Sequence, residues 1–297
     1  MDILSDLSDG LASLVEAVGP SVVRVEARRR LPASGIAWSS DGLIVTADHA
    51  IEHEEGIRVG LADGRTVTAV PVGRDPSTDV ALVRARATGL TPATWVEPGT
   101  ARTGHLVVSL GRPGRAVRAR LGILTAVADA WRAPGGAAID RYLELDSGPA
   151  AGFSGGATVD ASGGVLGMQT TGLLRQTALA LPLPTLRRVA DALLAHGRVR
   201  RGYLGIGGQP VRLPVGLCRD LGQEVGLLLV SVEPGSPAEA AGLLLGDVML
   251  AVGDEPIGHL QDLFGLLTAE RIGTAVPVRI LRGGEPRELS VVIGERR

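Results

Sequence analysis

The 297-residue chain contains no lysine and no asparagine, a single cysteine, and aromatic residues at only 2%. Each absence removes a class of chemistry. Without lysine there is no phosphate-binding P-loop, no Schiff base and no serine–lysine dyad. Without asparagine there is no acceptor for an N-linked glycan. Cys218 has no partner for an internal disulfide and cannot build a cysteine-rich zinc site. It reads as a small hydrophobe near a helix, not as a nucleophile. The 30 basic side chains are therefore all arginine and balance 32 acids to a net charge of −2, which gives no electrostatic reason to expect nucleic acid. The joint absence of lysine and asparagine is most simply a GC-rich coding bias. No apolar run is long enough to span a membrane. Residues 1–20 open on acids and lack a continuous apolar stretch, so no export signal is read. A cytoplasmic location is expected, with the periplasm or cell envelope as the alternative.

What is present is 42 glycines among many Val, Leu and Ile, a composition of short strands and tight turns. Leu4, Leu7, Leu11, Leu14, Val15 and Val18 recur at helical spacing and predict an N-terminal amphipathic helix ended by Gly19-Pro20. From there to about residue 180 short β segments follow one another, with Asp63-Gly64 as a hairpin turn. The run is long enough for two β-barrels. Leu186, Val189, Ala190, Leu193 and Leu194 then form a helical stripe that ends at Gly197. The basic run Arg198, Arg200, Arg201 reads as a solvated hinge into a second, smaller α/β unit. In that unit Ser236-Pro237-Ala238-Glu239 is a capping box. Leu260, Leu263, Phe264 and Leu267 give a helix face, which on the bland reading only packs the core.

Three windows carry chemistry, in the chain order His, Asp, Ser: Thr46 to Ala50, Ser77 to Leu82, and Gly152-Phe153-Ser154-Gly155-Gly156. A serine hydroxyl attacks only when a positioned imidazole takes its proton, and that imidazole needs a carboxylate to fix its tautomer. Glycines beside the serine let backbone N–H groups converge on a tetrahedral oxyanion. Alone, the histidine and aspartate windows are more often structural and the serine window is a loop about as often as a site; their order and their places at the ends of β segments favour a triad. No metal or cofactor is expected. His53-Glu54-Glu55 lacks the second histidine of a zincin, and Gly205, Gly207 and Gly208 do not make a dinucleotide fingerprint.

With these windows the sequence resembles the HtrA (high-temperature-requirement) family of trypsin-like serine proteases with a C-terminal PDZ domain. The family's T-N-N-H-V-like, T-D-I-A-L-like and G-N-S-G-G-P windows correspond to Thr46–Ala50, Thr78–Leu82 and Gly152–Ala157. Asp63-Gly64-Arg65, Val72 to Pro76 and Gly164 to Thr170 also match. The resemblance implies a mainly β fold: a trypsin-like double β-barrel with N- and C-terminal helices over residues 1–199, then a small α/β PDZ domain over 200–297. It implies His49 as general base, Asp79 as its orienting carboxylate in preference to Asp48 and Asp75, and Ser154 as nucleophile. Gly152 and Ser154 would supply the oxyanion N–H groups. Met168, Gln169 and Thr170 would border the pocket for the residue before the scissile bond, which no acid lines, so small or medium apolar side chains are expected there. Tyr203, Leu204, Gly205 and Ile206 would form a carboxylate-binding loop, with Leu260 and Phe264 on the groove helix. The expected activity is ATP-independent cleavage of unfolded or C-terminally tagged proteins by a homotrimer. A protease-fold peptide binder with little activity is the alternative. Phe153 and Ala157 depart from the family's asparagine and proline. A bulky Phe153 must find a buried slot or enter the substrate cleft.

Overall fold

The computed structural model describes residues 3–29, 31–146, 148 and 150–295. The chain divides into two compact units, Met1–Val199 and Arg200–Arg297.

In the first unit, strands Val22–Glu26, Ala33–Ala37, Leu43–Ala47, Val80–Ala85, Thr66–Asp75 and Arg58–Gly60 close one barrel in that order. Tyr142–Leu145, Ala178–Pro182, Val165–Thr170, Ala157–Asp160, Leu106–Gly111 and Arg118–Ala128 close a second. Strands Ala33–Ala37, Leu43–Ala47, Val165–Thr170 and Ala178–Pro182 are buried at every position, which explains their mostly apolar make-up. In Leu43–Ala47, Ile44 fills the first barrel with Val23, Val25, Ala81 and Val83. The alternate residues Leu43, Val45 and Ala47 join a cluster that also draws Leu110, Val159, Met168 and Leu181 from the second barrel. Leu166, Ala178 and Leu143 fill the second barrel.

Helix Leu183–His196 covers this shared cluster with Leu186, Val189, Ala190 and Leu193, the stripe read from the sequence, and Gly197 ends it in the left-handed region at φ 70°. The N-terminal helix Ile3–Val18 buries only Val18, and leaves Ile3, Leu4 and Leu7 exposed. Strands Ala157–Asp160 and Ala178–Pro182 have no clear sequence signal: the first is only four residues long behind a glycine loop, and the second has two alanines in five residues and ends in proline.

The second unit is a sheet ordered Ile206–Arg212, Val225–Val232, Val248–Val252, Ala275–Arg282, Glu285–Val292, with helices Val215–Leu221, Pro237–Ala240 and Leu260–Leu266. Ser236 caps the second of these helices by accepting the Glu239 amide at 3.2 Å. Among the described residues Ile206–Arg212 pairs only with Val225–Val232, which leaves its other edge open beside helix Leu260–Leu266.

Candidate active site

His49 sits in a short turn, Asp48–Ala50, that follows strand Leu43–Ala47. Asp79 ends the turn that leads into Val80–Ala85, the neighbouring strand, paired Ala47 to Val80. Adjacent strands thus bring together residues 30 positions apart. His49 Nδ1 lies 2.8 Å from Asp79 Oδ2 and 3.0 Å from Oδ1, and the His49 amide donates to Oδ1 at 2.9 Å. Asp79 is held at φ 57°, a left-handed conformation that a non-glycine residue adopts at a cost of about 1–3 kcal/mol where its surroundings enforce it. Those surroundings are the Asp48 amide on Asp79 O at 3.1 Å and the Asp79 amide on Pro76 O at 3.3 Å. The Thr170 hydroxyl also donates to Asp79 Oδ2, and accepts the Gly172 amide at 2.9 Å.

The other two carboxylates are occupied elsewhere. Asp75 builds the turn, accepting the Ser77 hydroxyl at 2.6 Å and the Thr78 hydroxyl at 2.7 Å. Asp48 pairs with Arg74 Nε at 2.7 Å.

Ser154 lies in the loop between strands Tyr142–Leu145 and Ala157–Asp160, and is mostly buried. Its glycines are dictated by close approach: a Cβ at Gly155 would come within 2.1 Å of Ser34 O, one at Gly156 within 2.1 Å of Leu110 O, and one at Gly152 within 2.4 Å of Pro113 Cβ. Phe153 enters a buried slot rather than the cleft, its ring against Gly111, where a Cβ would sit 3.0 Å from Phe153 Cγ. The Ser154 hydroxyl contacts Thr171 Oγ1 at 3.4 Å, and among the described residues it forms no hydrogen bond to His49. The Gly152 and Ser154 amides likewise donate to no described residue. His49 remains one-third exposed, so the site is open to a substrate.

The three residues expected to border the substrate pocket present no exposed side chain. Strand Val165–Thr170 is buried at all six positions. Met168 lies in the apolar cluster shared by the barrels, the Gln169 amide nitrogen donates to Ala157 O at 2.7 Å, and Thr170 holds Asp79, so none of these side chains is exposed to a substrate. In the second unit Leu204 is a core residue and brings only backbone to its loop. The Leu204 and Gly205 amides have no acceptor among the described residues. Gly205 is required, with φ 79° and a would-be Cβ 2.2 Å from Ser236 Cβ. Tyr203 donates its hydroxyl to Glu233. Ile206 opens the edge strand, while Leu260 and Phe264 are half-buried on the neighbouring helix, where Leu263 belongs to the core. Cys218 is half-buried against Leu213, Leu250 and Leu281. Among the described residues no cluster of His, Cys, Asp and Glu is suited to a metal. Ser34, Thr171 and Gly172 carry no signal in the sequence, since their relation to the site depends on chain segments far from it.

Two six-stranded barrels with a histidine–aspartate pair and a glycine-bound serine, followed by a sheet with one open edge beside a helix, define a trypsin-like peptidase fold with a PDZ domain. Family models agree: "Trypsin-like peptidase domain" matches residues 33–168 and "PDZ domain" residues 202–293. A probable periplasmic serine endoprotease DegP-like of Rhizobium meliloti is 32% identical over 274 residues, 90% of this chain and 54% of that protein. Its counterpart in Chlamydia trachomatis is 30% identical over 283 residues, 91% of this chain and 55% of that protein. The chain thus spans about half the length of these curated relatives. Among solved structures, the HtrA-type protease AlgW with a decapeptide is similar at TM-score 0.77 and 25% identity, covering 96% of this chain and 98% of that one. The serine endoprotease from Yersinia pestis reaches TM-score 0.77 at 29% identity with the same coverages, 96% and 98%. By these matches the chain carries a trypsin-like peptidase domain followed by a PDZ domain, and it is similar to HtrA-type proteases.

The cytoplasmic expectation is overturned by these relatives, which are named periplasmic enzymes. The physical reason is that Ile3–Val18 form a helix whose Leu11, Leu14, Val15 and Val18 pack on the shared apolar cluster, so the composition there records packing and not an address.

Proposed function

We propose that this chain is a serine endopeptidase of protein quality control that acts without ATP in the periplasm, on unfolded or C-terminally tagged proteins. In this reading Ser154 Oγ attacks the scissile carbonyl and His49 Nε2 takes its proton. Asp79 holds the ring with Nδ1 protonated and stabilises the imidazolium. The Gly152 and Ser154 amides receive the oxyanion, His49 returns the proton to the leaving amine, and water then resolves the acyl-enzyme. The observation that carries the reading is the Asp79 carboxylate bonded to both the ring and the amide of His49. A preference for small or medium apolar residues before the scissile bond is part of the same reading. Casein cleavage and fluorophosphonate labelling by the wild type, both lost in Ser154→Ala, are expected; a wild type that does neither removes the proposal.

The second unit would take protein C-termini. The free Leu204 and Gly205 amides suit a terminal carboxylate, and the open edge of Ile206–Arg212 suits an added peptide strand beside Leu260 and Phe264. A homotrimer is part of the same reading. It is supported by the apolar residues Ile3, Leu4, Leu7, Leu106 and Leu121 left exposed on the first unit. Light scattering that shows a stable monomer at micromolar concentration would remove the trimer.

One observation favours the alternative of a peptide binder with little activity: the Ser154 hydroxyl rests on Thr171 rather than on His49.

A further inference from the structure

Ser34 has no exposed surface on strand Ala33–Ala37, and all its hydrogen-bonding groups are engaged at or beside the loop that carries Ser154. Its amide donates to Ser154 O at 3.0 Å. Its hydroxyl donates to Gly152 O at 2.7 Å and accepts the Arg112 amide at 2.7 Å. Its carbonyl accepts the Thr46 hydroxyl at 2.7 Å. Residue 112 is itself anchored, because the buried Arg112 guanidinium donates to Val22 O at 2.6 Å and Gly19 O at 2.9 Å.

A peptide plane bonded at both its C=O and its N–H cannot turn without breaking both bonds. The plane joining Gly152 to Phe153 is bonded twice, through Gly152 C=O to Ser34 and through the Phe153 amide to Ala150 O at 3.0 Å. The plane joining Ser154 to Gly155 is bonded twice as well, through Ser154 C=O to Ser34 and through the Gly155 amide to Gln169 O at 2.8 Å. Between them, Phe153 C=O accepts the Gly156 amide at 2.8 Å. Among the described residues, the donors left over within residues 152–156 are the amides of Gly152 and Ser154, the pair that an oxyanion requires.

We infer that Ser34 is a positioning residue that presets the oxyanion loop by holding the carbonyls on either side of Phe153, so that the Gly152 and Ser154 amides stay aimed at the reacting carbonyl. The inference rests on the endopeptidase reading. Donors fixed before the reaction need no reorganisation as charge develops, so their loss appears in the transition state and not in substrate binding.

The test is Ser34→Ala in the full chain, read by kcat and KM on a peptide substrate. It is also read by affinity for a peptide boronate, whose tetrahedral anion fills the oxyanion position, and for the product peptide, which does not. The expected kcat loss is about tenfold or more, short of the 10²–10³ seen when a donor is deleted outright. Boronate affinity should fall in parallel, with KM and product-peptide affinity within about twofold. A kcat or boronate loss below tenfold, or an equal loss of product-peptide binding, overturns the role. Should Ser34→Ala not fold, Ser34→Cys, similar in shape but a weak donor, is read against the same thresholds. A wild type that neither cleaves peptide nor labels at Ser154 overturns the endopeptidase reading and this role with it. An active wild type with an unaffected Ser34 variant overturns this role alone.

Discussion

Asp79 Oδ2 lies 2.8 Å from His49 Nδ1 while Asp79 Oδ1 accepts the His49 amide at 2.9 Å, so one carboxylate fixes both the ring and the backbone of the same residue. The Thr170 hydroxyl on Oδ2 fixes the carboxylate in turn.

Asp79→Asn keeps the shape of this arrangement but offers an NH₂ where His49 Nδ1–H needs an acceptor, which favours the wrong tautomer. The expected result is a fall in kcat of about 10³–10⁴ with KM little changed. Steady-state peptide cleavage checks it, alongside a melting curve to establish folding.

Thr171 sits against the hydroxyl of Ser154, the proposed nucleophile. Thr171→Val keeps the shape and removes the hydroxyl that Ser154 Oγ contacts at 3.4 Å. A single hydrogen bond contributes about 0.5–1.5 kcal/mol, so fluorophosphonate labelling of Ser154 should quicken about two- to tenfold. Unchanged or slower labelling would mean that Thr171 does not restrain the serine.

Phe153 and Gly111 form a matched pair. Phe153→Ala empties the slot and should cost about 3–5 kcal/mol of stability. Gly111→Ala places a methyl 3.0 Å from Phe153 Cγ and should cost about 1–3 kcal/mol by overpacking. The double variant should be more stable than the sum of the two losses implies, since the added methyl then meets a vacated slot. Urea unfolding of the four proteins measures the coupling; strict additivity would show that the two sites do not share the slot.

Asp247 ties stability of the second unit to pH. Burial acts to raise its pKa, but Arg282, at 2.7 and 2.8 Å, and the Leu244 amide more than offset it, so the net shift is downward from 3.8. A depressed carboxyl stabilises the fold above its unfolded pKa, and that contribution is lost as pH falls through the folded value. Acid unfolding should therefore begin below about pH 4 in the wild type. Asp247→Asn should be less stable at neutral pH and flatter in acid. Thermal melts of both proteins from pH 7 to pH 2 follow the difference.

Much of this was legible along the chain. The helix stripe Leu186, Val189, Ala190 and Leu193 stands where periodicity places it, because a buried face leaves its period in the residues that form it, while Leu194 at the end of the stripe is exposed. Strands Ala157–Asp160 and Ala178–Pro182 were not legible, because short, alanine-containing segments acquire strand geometry only from the barrel neighbours that pair with them. The burial of the Met168, Gln169 and Thr170 side chains was not legible for a related reason. A strand covered on both faces gives no sign in its sequence of which side chain meets solvent.

By itself the sequence determined which chemistry was possible: no lysine or asparagine, a histidine, aspartate and serine in order, and glycines where backbone must pass close to backbone. Only the tertiary structure decided which of three aspartates faces His49, and it did so through strand pairing and competing partners for Asp48 and Asp75. It also decided what replaces the missing asparagine beside the serine. A phenylalanine fits there because Gly111, on a strand 42 positions earlier by number, leaves room for its ring. Such complementarity depends on the distance between packed segments, a quantity that no single stretch of sequence contains.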